Sequence, residues 1–302
     1  MLTAKDKKGF RAAFTAALSF ALFVSLALSF LAVTAPEYAA AAEKKTVMFL
    51  GVKIKPQVGT YIVLRDVRIR AKPKTKSKKL GIFKAGRRIH VVGKAASAWV
   101  AVREKGKDVG FVYDQVLLPL IDGALDKDLT GRASVKGKGG GKDGGKDGPD
   151  CLYRIRFEGK SAVEGQVFEI ADYDVLWDCR IGSRKVKFRT PMFITEAPFQ
   201  MGPKRIFQIS IDILDLDRGY EEIFSTIVLF NLDKNRIAFD GVSIEKYGRI
   251  PPTREAPAQT VAEALEAAVK MALGAWNEAA WDDLIKNIPE YPDSEPIKKK
   301  PS

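Results

Sequence analysis

Residues 136–149 read KGKGGGKDGGKDGP, and no chain can carry such a stretch through a folded core. Its glycines have nothing to bury and its lysines and aspartates offset one another, so it reads as a flexible tether that divides the chain into two folding units. A length of 302 residues, 46% apolar and 29% charged, suits two globular domains and is unlike a disordered or multi-span membrane chain. The Gly-x-Gly spacing inside the stretch is not read as a phosphate loop, because the sequence shows neither a strand before it nor a helix after it.

The first 42 residues read as an address. Lys5, Lys7, Lys8 and Arg11 precede an uncharged stretch, 12–36, rich in Phe and Leu, and Ala39 to Ala42 supply an Ala-x-Ala cleavage site. This is the pattern of an export signal. The apolar stretch is also long enough to span a bilayer, so the alternative is an uncleaved single-span inner-membrane anchor. In both cases the flanking positive charges stay in the cytoplasm and the rest of the chain is periplasmic. A membrane contact is expected only if the signal is retained.

Export sets the meaning of the remaining features. Cys151 and Cys179 lie in an oxidising compartment, form no Cys-x-x-Cys, and are expected to make a disulfide between the first and third strands of the second domain. Basic segments are expected to meet anionic envelope polymers or lipid head groups rather than nucleic acid. His90 is the single histidine, so zinc sites built on several imidazoles cannot be assembled and any Ser-His or Cys-His centre would have to use that residue. His90 itself sits on the polar phase of a strand in which Ile89 and Val91 point inward. The expectation is a non-enzyme with no catalytic residue, no metal and no cofactor.

The net charge of +13 is concentrated in one module. Residues 58–120 hold fifteen Lys and Arg against four acids, and between 72 and 88 lie Lys72, Lys74, Lys76, Lys78, Lys79, Lys84, Arg87 and Arg88 with no acid among them. Two readings fit such a run: a solvated, solubilising loop or an anion-binding surface. The same module shows short alternating strands, at 61–64, 88–92, 99–102 and 110–113, punctuated by Gly81, Gly86, Gly93, Gly106 and Gly110. Strands so short and closely spaced, without a helical period, predict a small β-barrel or meander.

Val67-Arg68-Ile69-Arg70-Ala71-Lys72-Pro73, Gly86 thirteen positions on, Trp99 with Val102, and Gly110-Phe111-Val112 followed by Tyr113 and Leu117 together resemble a bacterial SH3 domain. Arg68 stands where that family usually has Asn, and Phe111 where it usually has Trp. The resemblance implies a binding module without chemistry of its own, often attached to cell-wall proteins and directed at peptidoglycan peptides or proteins. Within it Trp99, Phe111 and Tyr113 are expected to form an aromatic floor, with Arg68, Arg70, Lys72 and Lys74 as a charged rim suited to carboxylates.

Beyond the tether, taken as 121–150, residues 151–250 carry about seven candidate strands separated by turns, which predicts a β-sandwich or a second barrel. The acidic turn 215–222 has the carboxylate density of a calcium loop, but Arg218 interrupts the spacing an EF-hand needs, and an acidic hairpin is expected there. Thr260-Val261-Ala262-Glu263 is a capping box opening an amphipathic helix within 257–289, with Glu266 and Lys270 as an i,i+4 pair outside the apolar stripe. That helix either packs on the β domain or docks a protein partner through Trp276 and Trp281. The tail, 290–302, is expected to be disordered.

The fold class expected is therefore mainly β: an exported two-domain protein with an SH3-like barrel at 58–120, a second β-rich domain at 151–250 and a C-terminal amphipathic helix. The function expected is binding of peptidoglycan or another anionic envelope polymer or protein. The alternative is a carboxylate-based cell-wall glycan hydrolase, which needs two acids from 151–250 about 5–9.5 Å apart in one cleft.

Overall fold

The computed structural model describes residues 46–96, 98–135, 148–162, 168–197, 202–215, 221–243 and 255–278. The segment 1–42 expected to be an export signal, the heart of the tether at 136–147, most of the acidic turn 215–222, residues 279–289 and the tail 290–302 lie outside the described residues. The described residues are mainly β, with two antiparallel sheets and one α-helix among them. Among the described residues no helix is long and apolar enough to cross a membrane.

The first sheet is a small barrel. Its strands are β1 (Val47–Phe49), β2 (Val52–Val63), β3 (Val67–Arg70), β4 (Lys79–Phe83), β5 (Arg88–Lys94), β6 (Trp99–Glu104), β7 (Lys107–Tyr113) and β8 (Leu117–Leu120), with a 3-10 turn at Asp114–Val116. They run in the order β1-β2-β5-β6-β7-β3-β4, and β8 returns to pair with β2. Tyr61, Ile69, Phe83, Val91, Val102 and Val112 fill the interior.

The barrel begins earlier than residue 58. β1 and the first half of β2 form a hairpin that carries Phe49 and Ile54 over the outer face, where they meet Trp99, Ala101 and Phe111 in a second, smaller core. The first four residues of β6 are consequently buried on both faces, Val100 and Val102 inward and Trp99 and Ala101 beneath the hairpin. Close packing fixes a glycine here: a Cβ on Gly93 would lie 2.7 Å from the Lys55 carbonyl oxygen.

The second β-rich domain is a half-barrel rather than a two-sheet sandwich. Strands β9 (Leu129–Ser134), β10 (Asp150–Ala162), β11 (Glu169–Ile181), β12 (Arg184–Glu196), β13 (Ile206–Asp215), β14 (Glu221–Asn231), β15 (Arg236–Ser243) and β16 (Glu255–Pro257) form one antiparallel meander with β9 and β16 as its ends. The helix α1 (Val261–Glu278) packs against β9, β13, β14 and β15, so both ends of the sheet curve around it. The partner register of β11 makes Cys151 and Cys179 direct neighbours on β10 and β11. They form a disulfide. It joins adjacent strands of the meander, not a first strand to a third.

Two expectations about the linking segments need correction. The stretch 121–150 is not tether throughout: residues 129–134 form β9, paired with β10, and Ile121 and Leu125 pack on the half-barrel core. Apolar Leu129 and Ala133, spaced by polar residues, give that piece a face to bury, which the glycine-rich remainder lacks.

The helix face offered for a partner is likewise occupied within the fold. The capping box forms, with Glu263 N–H donating to Thr260 Oγ1 at 3.2 Å and Gln259 N–H to Glu263 Oε2 at 2.7 Å. From Ala268 to Trp276 every residue but Lys270 is buried. Trp276 is 0% exposed, sits 5.1 Å from Trp177 ring to ring, and donates its indole N–H to Thr226 Oγ1 at 3.1 Å. Within Val261–Glu278 the apolar stripe is taken up by the half-barrel core, and Trp281 lies outside the described residues.

The barrel is seated on the half-barrel through specific polar contacts. The buried Tyr61 hydroxyl donates to the Pro203 carbonyl at 3.1 Å, beside Gln57, which also reaches that carbonyl. Arg205 bonds the Val58 carbonyl and is itself held by Asp233 at 2.8 Å. Burial pushes the Tyr61 hydroxyl up to about 12, since its anion would lose water. Around this contact Arg88 pairs with Glu169 at 3.4 Å and Lys160 with Asp122 at 2.6 Å.

Candidate functional site

The aromatic floor expected from the sequence is not a surface. Phe111 is 0% exposed and meets Phe49 edge to face with ring centroids 5.3 Å apart. Trp99 is 7% exposed, packed edge to face on Tyr113 at 5.7 Å. Tyr113 alone of the three remains half-buried. The structure does bring the three together on one face, but the β1–β2 hairpin covers it. Residues 46–57 lie ahead of the expected boundary, so their contribution was not visible from the module's own pattern.

The charged rim divides as well. Arg70 is half-buried at the end of β3, and its guanidinium donates to the Ser77 carbonyl at 2.7 Å across the β3–β4 loop. It is a clip for that loop, not a free cation. Four more bonds tighten the same loop: Ala71 N–H to the Lys78 carbonyl, Lys72 N–H to Ser77 Oγ, Lys74 N–H to the Lys72 carbonyl, and Ser77 N–H to the Lys74 carbonyl. Serine at 77 serves both sides of the turn, which is how so lysine-rich a segment holds one shape.

On this stapled loop Lys72, Lys74, Lys76, Lys78 and Lys79 are all exposed. None has an ion pair among the described residues. The other members of the basic run are compensated: Lys84 pairs with Asp66 at 2.7 Å, Arg87 with Glu104 at 2.8 Å, and Arg88 with Glu169. The Lys84 ammonium and the Ala85 N–H beside Asp66 hold its carboxyl below the usual carboxylate range. Arg87 also lies 4.8 Å over the Phe83 ring. The uncompensated positive charge of the run is therefore confined to 72–79.

Arg68 stands next to that loop, exposed on β3 opposite Ile82. Ile82 and Leu80 are exposed at 42% and 49% on β4, the end strand of the sheet. The candidate site is thus a basic prong, Lys72 to Lys79, flanked by Arg68 and a small apolar edge. Lys76, Lys78 and Lys79 belong to it as fully as Lys72 and Lys74. The alternation of Leu80 and Ile82 with buried Phe83 was the available sign of the apolar edge.

His90 is exposed on β5, opposite Thr60 and Arg103. Neither of the two clefts described here brings together two acids from 151–250; the cleft between barrel and half-barrel contains Glu169 alone of that set. Among the described residues no group of three or more His, Cys, Asp or Glu side chains gathers as a metal site would require.

Residues 65–117 match the family described as bacterial SH3 domain. The match covers β3 to the start of β8 and stops short of the covering hairpin and of the half-barrel. No curated protein and no solved structure matches the chain.

Proposed function

We propose that this chain is a non-enzymatic, exported envelope protein whose SH3-like barrel binds peptidoglycan or another anionic envelope polymer through the 72–79 prong. The observation that carries the reading is the stapled loop with five uncompensated lysines. A loop already fixed by its own hydrogen bonds loses little conformational entropy when an anion docks, so more of the electrostatic attraction is retained. Lysine ammonium groups are point charges without the planar fork of arginine, which suits a repeating polyanion read by charge spacing. Arg68 adds the one exposed guanidinium beside the prong. The export pattern of residues 1–42 and the buried disulfide support an oxidising, extracytoplasmic setting.

The test is co-sedimentation of the chain from residue 43 onward with isolated peptidoglycan sacculi, beside a variant combining Lys72→Glu, Lys74→Glu, Lys76→Glu and Lys78→Glu. The variant should bind at least about tenfold more weakly at low ionic strength while unfolding at the same temperature as the parent. Raising salt to 1 M, where the screening length falls to about 3 Å, should weaken the parent and leave the variant unchanged. Equal sedimentation of the two proteins would show that the prong is only a solubilising loop.

A further inference from the structure

We propose that the open seam of the half-barrel, between β9 and β16 over the N-terminal half of α1, is a strand-addition site for an extended peptide carrying a basic and an acidic side chain two residues apart. The inference is independent of the reading of the basic prong, which belongs to the other sheet.

The sheet order ends at β9 on one side and β16 on the other, so among the described residues each has one edge without a strand partner. Both edges border one helix, and a cleft of about 1000 Å³ opens between them. Its walls are Arg132 to Val135 from the β9 side, Glu255 to Pro257 from β16, and the helix from Glu263 to Met271. That volume is at the upper end of what small-molecule clefts enclose and is open enough to admit a chain. Free strand edges facing a cleft supply backbone donors and acceptors in a row, which is how an added strand gains affinity without regard to its sequence.

The charges in the cleft say what else the added strand should carry. Arg132 is held by Asp150, Glu255 by Arg236 at 2.7 Å, and Glu263 by the helix N-terminus. Glu266 and Lys270 remain. Their i,i+4 spacing predicts an ion pair, yet they make none with each other or with any described residue. Side chains one helical turn apart are about 5–6 Å apart, and alternate residues of a strand about 6.6 Å apart, so a strand along α1 can offer one opposite charge to each.

A second observation lies behind the β9 wall. The Tyr153 side chain crosses Gly131, where a Cβ would collide with its hydroxyl, and that hydroxyl is buried with no hydrogen-bond partner among the described residues. A buried hydroxyl left unmade is costly, and burial together with the nearby Glu266 charge keeps it protonated.

The probe is the capped heptapeptide TVKVEVT labelled at its N-terminus, titrated with the chain from residue 43 onward and followed by fluorescence polarisation. Saturable binding is expected, reduced about two- to fivefold by Glu266→Gln or by Lys270→Gln. The double variant Glu266→Lys with Lys270→Glu should lose preference for this peptide and gain it for TVEVKVT. The same heptapeptide N-methylated at alternate residues, unable to bond a strand edge, should not bind. Absence of saturable binding, equal binding of the methylated peptide, or an unchanged preference in the charge-exchanged variant would each overturn the proposal.

Discussion

Phe111 and Phe49 act as one packing unit, and this separates a core role from a binding role. Phe111→Ala should lower the unfolding free energy by about 3–5 kcal/mol in urea denaturation, while sacculus binding per folded molecule stays unchanged. A mutant of normal stability that had lost binding would return Phe111 to the ligand surface. Trp276 gives a second residue-scale test, because its indole N–H is the partner of buried Thr226. Trp276→Phe keeps an aromatic ring but leaves that hydroxyl unmatched, for an expected loss of about 1–3 kcal/mol by the same measurement. The sequence pattern could not distinguish these aromatics from a ligand floor. Trp99 and Phe111 sit on the outward phase of their strands, and outward residues are buried only when something outside the module covers them.

At the scale of elements, the short strands punctuated by glycine were legible: 88–92 lies within β5, 99–102 within β6 and 110–113 within β7. Pro191 stands inside β12 although proline removes a ladder donor. It is tolerated inside β12 because β13 pairs only from Met192 onward, so its missing N–H faces no partner on that side. β9 was hidden for a different reason, its short apolar content diluted by neighbouring glycine and lysine. Its presence yields a truncation test. A chain beginning at residue 121 keeps β9 and should elute as a single folded species in size-exclusion chromatography. One beginning at residue 151 bares the β10 edge and should aggregate or unfold at lower temperature. Identical behaviour of the two would show that β9 contributes no stability.

For the molecule as a whole, the barrel and half-barrel share an alkaline weakness. Tyr61, Tyr153 and Tyr173 are held neutral above the ordinary tyrosine range, mainly by burial. The folded state keeps these protons while the unfolded chain releases them above pH about 10, so stability is complete below that pH and falls as pH rises. The slope is about 1.4 kcal/mol per pH unit for each tyrosine, continuing for Tyr61 until about 12. Denaturant melts at pH 9, 10.5 and 11.5 should show that decline, and Tyr61→Phe should make it shallower. A flat profile would mean that the three hydroxyls reach water in the folded state.

The contact between Tyr61 and Pro203 spans 142 positions of chain, and this bears on the order of assembly. Contacts so distant in sequence close late, whereas the half-barrel meander is built from neighbour-to-neighbour hairpins that close early. A barrel emerging first from the ribosome therefore waits, with its tyrosine uncovered, until the chain beyond Pro203 has arrived. Docking of the two sheets is the closing step of maturation, and the N-terminal module reaches its final form only when the C-terminal half has folded.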